Sequence, residues 1–148
     1  MIVQYNSDIT KVTRGIIVNG VNCQYAMGSG LAKALYTKWP SVREEYMETL
    51  SLLGRVHLIC VEDLPKPKVV VANCYTQEFY GYDGRRYASM DAIRVSMESV
   101  IISADMLGLP IHMAKVGCDL GGLSWVEEVE PYLDSLNACI TVHEIKDF

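Results

Sequence analysis

Residues 15–35 read Gly15-Ile16-Ile17-Val18-Asn19-Gly20-Val21-Asn22-Cys23-Gln24-Tyr25-Ala26-Met27-Gly28-Ser29-Gly30-Leu31-Ala32-Lys33-Ala34-Leu35. The apolar run at 15–18 predicts a buried strand. The run at 31–35, with apolar residues at 31, 34 and 35, predicts a helix. Between them lies a connection that ends in Gly-Ser-Gly. Glycine lets the backbone approach a ligand closely, and the unpaired amides of a helix's first turn attract anions. A strand feeding through such a loop directly into a helix is the repeating unit of α/β domains.

Working outward, the same alternation recurs. Residues 1–3 predict a short strand ending at the polar turn Asn6-Ser7-Asp8. Pro40 stops the first helix, and Ser41 with Glu44 has the spacing of a capping box that opens a second. Val42, Tyr46 and Leu50 form its expected buried stripe, with Gly54 as its stop. Strands are expected at 56–61 and 69–73, separated by Pro65-Lys66-Pro67. A long helix is expected at 87–107, because Met90, Ile93, Met97, Ile101, Ala104 and Leu107 recur every three or four residues. Gly108 ends it, and a strand follows at 110–113. Trp125, Val129, Tyr132 or Leu133, and Leu136 mark a last helix, which Pro131 kinks or delays. Residues 139–145 close the chain as a strand. The expected fold class is α/β: a three-layer α/β/α sandwich on a central mixed, mostly parallel sheet.

Composition bounds the function. The chain has 148 residues, the length of one domain, and 50% are hydrophobic, enough for a sizeable core. Its formal charge of −5 provides no basic field to recruit nucleic acid nonspecifically. Cys23, Cys60, Cys74, Cys118 and Cys139 are odd in number and show no CxxC spacing, which reads as reduced thiols in a cytoplasmic protein with no metal site. The N-terminal residues lack the basic flank and apolar stretch of a signal peptide, and no apolar run is long enough to span a bilayer, so no membrane role is expected. His57, His112 and His143 lie in strand-like runs and read as structural.

Two loops are candidates for chemistry. The first is residues 22–30; the second is Gly117-Cys118-Asp119-Leu120-Gly121-Gly122-Leu123-Ser124-Trp125, again between a strand and a helix. Neither is a P-loop, and neither has the acidic residue that completes a Rossmann fingerprint. Ligands of open α/β sheets sit beyond the carboxyl ends of the strands, where two such loops can grip a diphosphate from both sides.

The series Ser7-Asp8-Ile9-Thr10, then Ile16 to Asn22, then Met27-Gly28-Ser29-Gly30-Leu31-Ala32, resembles the N-terminal half of macrodomains. Residues 115–125 resemble the second phosphate loop of that family, and the likeness spans nearly the whole chain. It is closest to the branch of terminal ADP-ribose glycohydrolases and ADP-ribose 1″-phosphate phosphatases. The resemblance implies one macrodomain over residues 1–148, binding ADP-ribose or a derivative, free or attached to a protein or nucleic acid, with no cofactor. It implies that Asp8 accepts the adenine amino group and that Ile9 supplies an adjacent amide. Gly28, Ser29, Gly30 and Leu31 then hold one phosphate, and Gly117, Cys118, Leu120, Gly121, Gly122 and Leu123 wrap the other. Tyr75 either covers a ligand ring or is a core tyrosine. Asn22 either faces the distal ribose or braces its loop.

For catalysis, the nearest glycohydrolases resemble this chain less. Their nucleophilic lysine precedes the long helix, where this chain has Gly84-Arg85-Arg86-Tyr87. Arginine stays protonated and is a poor nucleophile but a good anion clamp. The family's second-loop aspartate aligns with Gly121, while Asp119 occupies a usual glycine. The expected activity is therefore hydrolysis at the distal ribose, with ADP-ribose 1″-phosphate preferred, then O-acyl-ADP-ribose or an ADP-ribosylated macromolecule. Asp119 would be general base, Asn22 would orient the substrate and Arg86 would neutralise the departing phosphate. Tyr80, Tyr82 and Asp83, with the two arginines, read as a flap over the distal ribose. The alternative is a non-catalytic ADP-ribose-binding module.

Overall fold

The structure is a computed structural model that describes residues 1–28, 30–83, 85–118 and 121–144. Strands β1 (Ile2–Tyr5), β2 (Gly15–Asn22), β3 (Val56–Glu62), β4 (Val69–Gln77), β5 (Ile111–Met113) and β6 (Ile140–Glu144) form one sheet in the order β1-β6-β5-β2-β4-β3. All neighbours pair in parallel except β3 with β4. Helices α1 (Gly30–Lys38), α2 (Ser41–Glu48), α3 (Met90–Leu107) and α4 (Glu130–Asp134) cover it.

Side-chain alternation along β2 and β4 divides the core. Ile17, Val21, Val69, Val71 and Tyr75 face α1 and α2, where Leu35, Val42 and Tyr46 meet them. Ile16, Val18, Val70, Ala72 and Cys74 face the opposite way, against Ile93, Met97, Val100 and Ala104 of α3 and Trp125, Val129 and Leu133 near the C-terminal end. Both faces of β2 and β4 are buried, which is why these strands read as unbroken apolar runs. The expected three-layer sandwich is thus the observed one, with five parallel strands and one antiparallel edge.

Several local expectations shift. The second helix starts at Ser41, but its cap residue is Pro40 and no side chain caps it, so the expected Ser41–Glu44 box does not form. It ends at Glu48, leaving Leu50 75% exposed rather than in the buried stripe. Gly54 is a turn residue at φ +88°, downstream of the helix end. The long helix begins at Met90, with Ser89 as N-cap accepting from the Ala92 amide at 3.1 Å, and Gly108 ends it at φ +65°. Around Pro131 the chain makes a π-helical turn at Trp125–Val129 before α4, so the proline falls in the first turn of α4, where it is tolerated.

The histidines have partners. His112 Nε2 lies 3.1 Å from the Arg14 carbonyl and its Nδ1 lies 2.9 Å from His143 Nε2. His143 Nδ1 in turn lies 2.7 Å from Ser7 Oγ. This row ties β5, β6 and the turn after β1 together. The Arg14 carbonyl can only accept, so His112 donates to it from Nε2. In the neutral pair His143 then donates to His112, and Ser7 donates to His143. His57 bonds Thr49 Oγ1 at 3.1 Å and sits 3.6 Å from Glu45.

Candidate functional site

The carboxyl ends of β2, β4 and β5 open into one cleft of about 490 Å³. Both glycine loops reach it. Asn22, Gly28, Gly30 and Leu31 line one side, and Gly117, Cys118 and Gly121 the other. These are the residues the sequence placed at a ligand, brought together from positions nearly a hundred apart. Ser29, Asp119 and Leu120 lie outside the described residues.

The first loop is held from below. Asn22 is 8% exposed, and its side-chain amide donates to the Ala26 carbonyl at 2.8 Å while its Oδ1 accepts from the Gln24 amide at 2.9 Å. The fully buried Tyr46 hydroxyl sits 2.7 Å from the Asn22 carbonyl and 2.9 Å from its Oδ1. Asn22 therefore braces the loop while also lining the cleft. Tyr25 takes φ +58°, a conformation bulky residues rarely adopt. Its hydroxyl donates to the Thr49 carbonyl at 3.0 Å and accepts from the Ser51 amide at 3.3 Å, which anchors the turn. At Gly30, φ +60° opens α1 in a left-handed conformation suited to glycine. A Cβ built on Gly28 meets nothing within 4 Å, so this stretch of backbone is unobstructed.

The second loop is packed more tightly. Gly117 takes φ +77°, and its carbonyl accepts from the Leu123 amide at 2.8 Å. The Gly121 carbonyl accepts from the amides of both Tyr87 and Ala88, at 2.8 and 2.9 Å. A Cβ on Gly121 would stand 2.7 Å from the Gly117 carbonyl oxygen, and one on Gly122 would stand 2.7 Å from that of Arg85. Position 121 thus has no room for a side chain. Gly122 and Leu123 do not line the cleft. Gly122 makes room for the 85–88 segment, and Leu123 is buried in the α3 core.

Four other sequence candidates lie elsewhere. Tyr75 is fully buried, its ring centroid 6.0 Å from that of Tyr46, so it is the core tyrosine of the two readings. Asp8 caps the short 3-10 turn Ile9–Lys11; hydrogen bonds from the Thr10 hydroxyl and amide hold its carboxyl below the usual range. Ile9 is buried in the α1–α2 core. Neither Asp8 nor Ile9 is among the residues lining the cleft. Arg86 pairs with Glu128 and lines a separate, more open hollow between α3 and α4. Placing Arg86 at a departing phosphate is therefore a reading this geometry does not support.

Sequence reasoning passed over several lining residues. Thr76 and Gln77 end β4; Gln77 pairs with Asn22 across a register shift that passes over Thr76. Lys115 opens the second loop and is the only charged side chain among the described residues lining the cleft. Tyr80 and Tyr82, expected in a flap, line its mouth and are exposed. The carboxyl end of each parallel strand and the residues just beyond it were the signal that could have found Thr76, Gln77 and Lys115.

The thiols are poor nucleophiles here. Burial pushes Cys118 up to about 11 and raises Cys23 as well, so both stay protonated at neutral pH. Among the described residues no group of three histidine, cysteine or acidic side chains is placed to hold a metal, and no helix is long and apolar enough to cross a membrane.

Comparison with known proteins agrees with this architecture. No protein-family model and no curated protein sequence matches the chain. Solved structures do. A Bacteroides thetaiotaomicron protein superposes with a TM-score of 0.79 at 24% identity, covering 97% of this chain and 99% of that one. The macrodomain of Mycobacterium tuberculosis DarG gives 0.76 at 19%, covering 99% of both chains. Thermosipho africanus DarTG in complex with ADP-ribose gives 0.74 at 16%, covering 97% of this chain and 41% of that one. At these identities the likeness defines the fold, and that fold is macrodomain-like.

Proposed function

We propose that this cleft binds ADP-ribose, with the diphosphate lodged between the two glycine loops. The observation that carries the reading is their convergence: Gly28, Gly30 and Leu31 face Gly117, Cys118 and Gly121 across one cleft at the strand ends. Backbone amides and the α1 N-terminus recognise phosphate without a basic surface, which suits a chain of net charge −5. The structural neighbour solved with ADP-ribose supports the choice of ligand. The chain then acts as a single macrodomain on free ADP-ribose or on an ADP-ribosylated protein or nucleic acid.

Hydrolysis at the distal ribose is the second reading, favoured by Asn22 lining the cleft. ADP-ribose 1″-phosphate is the preferred substrate, with Asp119 as general base; O-acyl-ADP-ribose and ADP-ribosylated macromolecules follow. The reaction needs a positioned water and a clamped substrate rather than a covalent intermediate, in keeping with the protonated thiols. Arg86 is withdrawn from this scheme.

The test is calorimetry with ADP-ribose beside AMP and NAD on the wild type and on Gly28→Val. Micromolar binding corresponds to roughly −8 kcal/mol. A side chain at Gly28 has room to exist, so the variant folds normally but fills cleft space and loses at least about tenfold in affinity. Undiminished binding in Gly28→Val would move the ligand out of this cleft, and no binding by the wild type would end the proposal. Phosphate release from ADP-ribose 1″-phosphate, absent in Asp119→Ala, decides the second reading.

A further inference from the structure

We propose that Lys115 is the ligand-binding cation of this site, exchanging its partner Glu144 for the diphosphate, and that Glu144 thereby sets how tightly dianionic ligands are held. The inference rests on the ADP-ribose reading above and names a residue that neither glycine loop predicts.

Lys115 Nζ lies 2.8 Å from Glu144 Oε1 and 5.8 Å from the centroid of the Trp125 ring. The side chains of the pair are 36% and 23% exposed. An ion pair with that much solvent contributes little to stability and is readily broken. Lys115 is the only full charge among the described cleft-lining residues, in a chain whose overall charge repels anions. The remaining recognition comes from neutral amides and hydroxyls. A hydrogen bond from an ammonium to a phosphate oxygen is roughly twice as strong as one from a neutral donor. The Cys118 thiol beside it is protonated and does not compete for its charge. In this arrangement Glu144 keeps Lys115 poised next to the second loop, and the phosphate oxygens replace the carboxylate.

The experiment is calorimetry of the full chain with ADP-ribose and with adenosine, which lacks the phosphates, at ~50 mM and ~500 mM salt, where screening differs several-fold. Lys115→Met should weaken ADP-ribose about tenfold, about 1.4 kcal/mol, leave adenosine unchanged and flatten the salt dependence. Lys115→Arg should stay within about threefold of the wild type, because the charge remains. Glu144→Gln should tighten ADP-ribose severalfold by releasing the lysine. That sign separates ligand recognition from a purely structural pair, whose loss would weaken both ligands together. ADP-ribose affinity unchanged in Lys115→Met, or weakened in Glu144→Gln, would overturn the assignment while the cleft reading stands. Should Lys115→Met fail to fold, the arginine and glutamine variants still decide it. No ADP-ribose binding by the wild type overturns this assignment together with the proposed function.

Discussion

Tyr46 and Tyr75 pack with their ring centroids 6.0 Å apart and are both fully buried, yet removing their hydroxyls should have opposite effects. The Tyr46 hydroxyl sits between the carbonyl and the Oδ1 of Asn22, at 2.7 and 2.9 Å. Tyr46→Phe deletes that donor without opening a large cavity. The Asn22 Oδ1 keeps the Gln24 amide at 2.9 Å, so the loss is one buried hydrogen bond and one under-satisfied carbonyl, about 1–2 kcal/mol. For a domain of this size that lowers Tm by roughly 3–6 °C. The loosened turn at residues 22–26 should also weaken ADP-ribose severalfold. The Tyr75 hydroxyl is buried with no hydrogen-bond partner among the described residues. Tyr75→Phe removes an unmet desolvation penalty, and stability should stay level or rise by up to about 1 kcal/mol. Urea unfolding of the three proteins, read by circular dichroism, measures both signs. If Tyr46→Phe comes within about 0.5 kcal/mol of the wild type, or Tyr75→Phe falls as far as Tyr46→Phe, hydrogen bonding beneath the first loop is not what separates the two tyrosines.

Burial holds the pKa of both His112 and His143 below the ordinary 6.5; the neighbouring His112 lowers that of His143 further, while the Arg14 carbonyl partly offsets the shift at His112. The unfolded chain then binds more protons than the folded one as pH falls through 6.5, so stability is full above that value and declines below it. Urea midpoints should therefore drop between about pH 7.5 and about pH 5.5, and His112→Gln should flatten that drop; a level wild-type profile would contradict the buried neutral pair. Although it lines the cleft, Cys118 should be alkylated slowly at neutral pH and quickly only near its raised pKa of about 11, as peptide mass spectrometry after iodoacetamide would show. Fast labelling at neutral pH would return Cys118 to the list of nucleophiles. Gly121→Asp, which places an acid in the second loop, should destabilise by about 1–3 kcal/mol and add no activity, because its Cβ meets the Gly117 carbonyl oxygen at 2.7 Å. A stable, more active Gly121→Asp would refute the packing argument.

The layers of the fold were legible because β2 and β4 are buried on both faces and α3 on one stripe, so apolar pattern and position coincide. Strand direction was not, since periodicity carries no sign; the edge strand β3 reads like the parallel strands although it runs against β4. Helix ends were misjudged where a competing turn took over, as at Glu48, beyond which Leu50 turns out to solvent. At the site, glycine spacing located both loops because backbone approach demands glycine. It did not separate glycines that face the cleft from those that make room for another segment. Nor did it reveal Lys115, whose placement depends on Glu144 arriving from the far end of the chain.

That division bears on chemistry. In the second loop, Gly121 and Gly122 are small because the 85–88 segment lies against them, its Tyr87 and Ala88 amides bonded to the Gly121 carbonyl. The same contact accompanies the turning of Arg86 toward Glu128, whose carboxyl is held low first by the Ser124 amide and then by Arg86. A Cβ at 121 would meet the Ala88 Cβ at 2.9 Å as well as the Gly117 carbonyl oxygen at 2.7 Å, so the glycine and the position of the 85–88 segment depend on each other. Gly121, Gly122 and the 85–88 segment therefore form one packed contact rather than independent features of two loops.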